Sequence, residues 1–468
     1  MSDRVLQRRN SMTNMVLLGS LYVGELCAVL VVLALYRLDG SMSSFLSSRT
    51  GLLCLASGLG LVLSGLMVII EFRRSRLSES GPFALTVAMN LIVVVLSVGS
   101  GELAVRLLST NTEYGVYLGR KLLYPPEWED LVSRHSAASA ALHSAFFVSD
   151  ELLGWTVGPN RTSGKGLYFS SREGLRSPKP GIAFADRSTS CRIALVGDSY
   201  TFGQDVRFED SWGYRLELAL GEQCQVLNFA VSGYGVDQAY LRYMRDVRPW
   251  HPNVVIFGFI NEDVLRTMSV YAFLLWPEGY MPWAKPRFVL AGEQLSILNA
   301  PLPNPDEIFS KRSIRELPYI SYDRAYRTRY WRYIPPSYLL RFLLSWYLLP
   351  STPNEQTSNR TMKSINTMIF RSFFQAATSE GSIPMVVYLP SPDDFHAANN
   401  YTPVGITIVR DAGLEPIDLT TCVSQITFTE RFASAYGHYS SRANALVASC
   451  LLEILTTHLP QKDGDRQR

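Results

Sequence analysis

Three stretches of roughly 20 predominantly apolar residues crowd the start of this 468-residue chain: about Met15 to Tyr36, Gly51 to Phe72 and Pro82 to Leu103. A bilayer core needs about 20 such residues per helix. The stretches carry almost no internal charge, so they predict three transmembrane helices in a membrane domain, residues 1–108. Glu25 is the exception in the first span; a structural role facing another helix is expected, and a functional site is the alternative. A cleaved signal peptide is the alternative for that span. Its apolar stretch is too long for an h-region, and no small-x-small site follows.

The arginines orient these helices. Arg4, Arg8 and Arg9 precede the first span, and Arg73, Arg74 and Arg76 lie between the second and third. The first loop has only Arg37 and Arg49. The positive-inside rule puts the N-terminus in the cytoplasm. Three crossings then put everything after about residue 105 on the periplasmic or extracellular side of an inner or plasma membrane. A net charge of +3 gives no electrostatic case for nucleic acid. No metal-ligand cluster or P-loop is present, so neither metal nor cofactor is expected.

Cysteine usage agrees with export. Cys27 and Cys54 fall inside the spans, whereas Cys191, Cys224, Cys422 and Cys450 fall in the exported part. Four cysteines allow three pairings. Cys191 and Cys224 each sit immediately before a strand-like run, which favours a Cys191–Cys224 disulfide. Cys422–Cys450 follows with less support, and four free thiols are the alternative.

Residues 109–190 read as a juxtamembrane connector and domain edge, with an Ala-rich helical piece from Ser136 to Phe147. From Cys191 the chain alternates as α/β folds do. Strands are expected at Arg192–Val196, Gln225–Phe229, Val254–Phe259, Pro384–Leu389 and Leu414–Leu419. Helices are expected at Trp212–Leu220, Asp237–Val247, Asn366–Ala377 and Arg442–Thr457. Short crossovers make the sheet parallel. This domain, 191–460, is interrupted at 267–362 by a stretch rich in Pro, Tyr, Trp and Arg. There Arg324, Arg327, Arg329 and Arg332 interleave with Tyr326, Tyr330, Trp331 and Tyr333. The stretch suits a membrane surface or a cap over a site, and one segment can do both.

The chemistry starts at Gly197-Asp198-Ser199, directly after the apolar run Ile193–Val196. A serine on a sharp turn at the carboxyl edge of a parallel sheet is where an α/β hydrolytic fold displays a nucleophile. The second strand leads into Ser232-Gly233-Tyr234-Gly235, and the third into Gly258-Phe259-Ile260-Asn261. Glycine lets backbone approach a ligand closely, and Asn offers a side-chain N–H donor. His438 precedes the last helix, and a neutral imidazole is the natural base for a serine.

In this order the four blocks resemble the SGNH/GDSL hydrolase family. The likeness covers about Gly154 to Leu455 apart from the insertion. It extends to flanks seen in membrane-linked bacterial members: Leu153-Gly154-Trp155, Glu173-Gly174-Leu175-Arg176 and His438-Tyr439-Ser440-Ser441-Arg442-Ala443-Asn444. The resemblance implies a three-layer, flavodoxin-like α/β domain. It implies Ser199 as nucleophile, His438 as base, and Ser199 N–H, Gly233 N–H and Asn261 Nδ2 as the oxyanion hole. The reaction implied is acyl transfer through an acyl-enzyme.

One position departs from the family. Its Asp three residues before the histidine is Ala435 here, and Tyr436 is not acidic either. A backbone carbonyl can orient His438, or Asp418 or Glu430 can take the place of the missing acid. Failing these, the site is weakened. Two functions follow: a membrane-anchored extracytoplasmic esterase or O-acyltransferase acting on an acylated glycan or lipid, or a non-catalytic glycan-binding protein in an envelope polysaccharide system.

Overall fold

The apolar run before Ser199 forms β1 (Arg192–Val196) of a five-stranded sheet. The computed structural model describes residue 95 and residues 98–457, except 120, 143–144, 222–223, 278, 293, 330–335, 348–352, 397–401 and 434–436. After β1 come β2 (Gln225–Asn228), β3 (Val254–Phe259), β4 (Ile383–Tyr388) and β5 (Ile417–Asp418). Every pairing is parallel, and the spatial order is β5-β4-β3-β1-β2. That is the flavodoxin-like order, whose switch point lies between β1 and β3.

Alternation along the strands builds two core layers. Ile193 and Leu195 face one side with Ile256 and Val387. There α2 (Trp212–Leu220) and α7 (Ser441–Thr456) pack on them through Leu216, Val447 and Leu451. Ala194 and Val196 face the other side with Val255, Phe257 and Tyr388. This side is covered by α3 (Val236–Arg242), α5 (Pro353–Ser379) and α6 (Val404–Asp411), through Ala239, Ile369, Phe373 and Ile408. Each fully buried aliphatic side chain contributes about 1.5–3 kcal/mol. Strands buried on both faces are therefore continuous apolar runs.

The structure forms both Cys191–Cys224 and Cys422–Cys450. The first follows from the sheet. Arg192 pairs with Gln225, so the preceding cysteines are neighbours, 4.5 Å apart at Cα. Replacing both Cys191 and Cys224 by Ser should lower the unfolding free energy in denaturant by about 3 kcal/mol, through lost loop closure. An unchanged unfolding midpoint would show that the bridge contributes nothing.

The chain divides into two compact units, one taking residues up to 126 with 329–351, the other 127–328 with 352 onward. The sheet belongs to the second. In the first, a helix through 98–108, a three-stranded antiparallel sheet (Thr110–Thr112, Gly115–Leu118, Lys121–Tyr124) and the helix Tyr338–Tyr347 share a small core of Val105, Leu118, Leu123 and Phe342. Glu102 caps the Tyr338 helix, accepting the Tyr338 and Leu339 N–H groups at 3.0 and 2.9 Å. The first two apolar spans, with Glu25, Cys27 and Cys54, lie outside the described residues, as does most of the third. Among the described residues no helix is long and apolar enough to cross a membrane.

Candidate active site

Gly197 ends β1 where the chain must turn sharply. A Cβ there would stand 2.3 Å from the Gly258 carbonyl oxygen and 2.4 Å from Thr201 Oγ1, so only glycine fits. Asp198 then caps α1 (Ser199–Phe202), its Oδ1 accepting the Tyr200 N–H at 2.9 Å. Ser199 is thus the first residue of a one-turn helix at the carboxyl edge of the sheet, beside the switch point.

His438 reaches this serine from the far end of the chain. Its Nε2 lies 2.9 Å from Ser199 Oγ. The segment is pinned on both sides. The Tyr200 O–H donates to the Gly437 carbonyl at 3.3 Å, and the Tyr439 O–H to that of Pro390 at 2.8 Å. Ser440 caps α7, and Asn444 Oδ1 accepts the Trp212 N–H at 3.0 Å, tying α7 to α2. These contacts account for the Tyr439, Ser440 and Asn444 flank read in the sequence.

The acid that orients His438 is neither of those expected. His438 Nδ1 lies 2.8 Å from Asp205 Oδ2. The hydrogen bond to His438 holds the Asp205 carboxyl below the usual carboxylate range. Asp418 instead accepts the N–H and O–H of Thr420, at 2.9 and 2.6 Å. Glu430 accepts from Thr427 and pairs with Arg442. Each of these acids caps its own turn, which corrects the expectation that one of them serves His438. Ala435 and Tyr436 lie outside the described residues.

Asp205 adopts φ +66°, a conformation Asp tolerates better than most residues. Its loop is held by Arg176. The Arg176 Nη1 donates to the Phe202 and Gly203 carbonyls, and Nη2 to that of Val206 at 2.6 Å. Arg176 is 1% exposed, and burial pulls its pKa down to about 10. It therefore stays charged at neutral pH. The Asp205 N–H also donates to Tyr168 Oη at 3.0 Å. The Glu173–Arg176 flank is thus the support of the third site residue.

Gly233 and Asn261 follow β2 and β3, the two strands that flank β1. Gly233 sits at φ +83°. Trp155 braces its loop: the indole N–H donates to the Ser232 carbonyl at 3.0 Å, and the Tyr234 O–H to the Trp155 carbonyl at 2.6 Å. Asn261 opens α4 (Asn261–Arg266), and its Oδ1 accepts the Gly405 N–H at 3.1 Å. That bond fixes the amide so that Nδ2 remains as donor. Among the described residues, the N–H groups of Ser199 and Gly233 and Asn261 Nδ2 have no partner. They are three uncommitted donors on adjacent loops.

No family model matches this chain, and no curated protein is similar to it in sequence. Among solved structures it is similar to a member of the lipolytic protein G-D-S-L family from Veillonella parvula, at 13% identity and TM-score 0.29, covering 57% of this chain and 99% of that one. A lipase/acylhydrolase from Enterococcus faecalis is similar at 11% identity and TM-score 0.31, over 58% of this chain and 98% of that one. An acetyl xylan esterase from Geobacillus stearothermophilus is similar at 13% identity and TM-score 0.30, over 57% and 94%. Likeness at this level identifies neither substrate nor reaction. Sheet order and site order decide the fold: 2-1-3-4-5, with Ser199 after β1, Gly233 after β2, Asn261 after β3 and His438 before the last helix. The fold is of the SGNH/GDSL type. Within this SGNH/GDSL-type unit, sequence reasoning missed Asp205. The only local signal was an acid just past Gly203, which reads as ordinary turn chemistry.

Proposed function

We propose that this chain is a membrane-anchored, extracytoplasmic SGNH-type serine esterase or O-acyltransferase that acts on an acylated glycan or lipid near the membrane. The observation that carries the reading is the continuous chain Ser199 Oγ, His438 Nε2, His438 Nδ1, Asp205 Oδ2, with links of 2.9 and 2.8 Å.

In this reading Ser199 Oγ attacks the ester carbonyl carbon while His438 Nε2 takes its proton. Asp205 holds the Nδ1–H tautomer and stabilises the imidazolium. The carbonyl oxygen becomes an oxyanion facing the N–H groups of Ser199 and Gly233 and the Asn261 amide. Collapse breaks the ester C–O bond, and His438 returns its proton to the departing alkoxide. Water or an acceptor hydroxyl then attacks the acyl-Ser199, its proton passing to His438, and Ser199 is released. Water gives hydrolysis, and a glycan or lipid hydroxyl gives transfer.

Asp205 favours the active enzyme over the binding protein, because the absent acid before His438 was the reason to consider the latter. Membrane anchoring is supported by the three apolar stretches. It is supported also by Val95, Val98 and Leu103 at the end of the third and Leu107 just past it, all more than half exposed. An envelope polysaccharide system is the setting this placement suits.

A fluorophosphonate probe on the detergent-solubilised full chain tests the reading. The adduct should map to the Ser199 peptide, vanish in Ser199→Ala and form far more slowly in His438→Ala. A folded, unlabelled wild type would overturn it.

A further inference from the structure

Beside Ser199, one largely buried guanidinium, 13% exposed, joins the loops of three strands. Arg266 Nη1 donates at 2.9 Å to the carbonyl of Tyr234, the residue after Gly233. It pairs with Asp263, whose Oδ2 accepts at 3.1 Å the N–H of Ile260, the residue before Asn261. It also lies 3.6 Å from Asp198 Oδ2, which is itself 3.3 Å from Ser199 Oγ. The same guanidinium lies over the Trp276 ring, 5.3 Å from its centroid. Trp276 in turn closes on Gly233, where a Cβ would stand 3.3 Å from it.

The local charge balance makes this cation hard to replace. Asp198 and Asp263 are almost fully buried, and no other cation pairs with them among the described residues. Burial, and then the Asp198 charge, pushes the Asp263 carboxyl well up. Burying an unpaired carboxylate is costly, so the arginine is held by both acids.

We propose that Arg266 is a positioning residue that sets the spacing of the oxyanion donors, locking the Ser199 turn, the Gly233 loop and the start of α4 in one register. Donors aimed at an oxyanion lose their effect when misplaced by about 1 Å, and each is worth about 10²–10³ in turnover. The inference rests on the esterase reading above and adds a residue that touches no substrate.

The test uses the full chain in detergent, with 4-nitrophenyl acetate as substrate. Arg266→Met removes the hub but leaves buried acids unpaired. Arg266→Met/Asp263→Asn removes the hub and keeps the net charge of the cluster, with Asp198 left as its only acid. Arg266→Lys keeps a charge and donors. The double variant should keep its near-UV circular dichroism and lose about 100-fold in kcat, with KM within twofold. Arg266→Lys should recover at least about tenfold of that loss, since its ammonium still donates. Any of three results would overturn the inference: a double variant within threefold of wild-type kcat, a lysine variant no better than the double, or a loss carried by KM or by the fold. Wild type is the control for the parent reading. If it neither turns over ester nor takes the fluorophosphonate label, the esterase reading itself fails. A labelled wild type with an unaffected double variant removes only the role of Arg266.

Discussion

Asp205→Asn should lower kcat for ester hydrolysis about 10³-fold, with the fold intact. An amide in place of the carboxylate can present N–H to His438 Nδ1 and so favour the wrong tautomer. It also withdraws the charge that stabilises the imidazolium. In a buried Ser-His-Asp triad this exchange costs about 10⁴. The Asp205 side chain is 43% exposed, and water compensates part of the loss, hence the smaller figure. Asp418→Asn and Glu430→Gln should each leave turnover within twofold, because the partners of those acids are Thr420, Thr427 and Arg442 rather than His438. Turnover of 4-nitrophenyl acetate by the three variants, with near-UV circular dichroism as the control for folding, checks the assignment. A loss under tenfold in Asp205→Asn would mean that His438 is oriented by something else.

The second large effect is expected at Arg176, and it combines stability with activity. Arg176→Met strips the donors from the carbonyls of Phe202, Gly203 and Val206 at a site that is 1% exposed. A buried acceptor left unmet costs about 1–3 kcal/mol, so the variant should be destabilised by about 3 kcal/mol or more. The loop that loses its support carries Asp205, so surviving protein should also turn over ester at least about tenfold more slowly. Lysine should not substitute well, because a point charge does not match three carbonyls spread around a planar fork. Urea unfolding and ester turnover on the same preparations separate the two effects. Wild-type turnover at reduced stability would reduce Arg176 to a fold residue.

Which parts of this were legible in the sequence follows from how local their causes are. β1, β3 and α2 have the expected bounds, because doubly buried strands are unbroken apolar runs and α2 has a clear apolar face. The expected strand Leu414–Leu419 shrinks to Ile417–Asp418. Leu414 is spent on ending α6, its N–H bonding to the Val409 carbonyl after Gly413 at φ +79°. α5 begins at Pro353, 13 residues before the Asn366 start read from the sequence. The segment before Met362 is polar and shows no apolar period. Cys191 and Cys224 could be paired because both immediately precede adjacent parallel strands.

The site divides in the same way. Ser199, Gly233, Asn261 and His438 each sit at an element boundary, and their order along the chain carried the resemblance. Asp205 belongs to no such boundary. It lies 233 residues from the histidine it faces, on a loop shaped by Arg176 and Tyr168. Only tertiary structure brings it to His438. Spacing relative to the histidine pointed to position 435, which is alanine, and the substitutes named, Asp418 and Glu430, are bound to partners of their own.

The central claim is that Ser199 is activated by His438 and that Asp205 orients His438. The most direct measurement is the rate of fluorophosphonate adduct formation on the Ser199 peptide, followed by mass spectrometry in wild type, Asp205→Asn and Asp418→Asn/Glu430→Gln. Wild type and the Asp418/Glu430 double variant should label at the same rate, and Asp205→Asn at least about 100-fold more slowly. A wild type that takes no label at Ser199, or an Asp205→Asn protein that labels as fast as wild type, would contradict it.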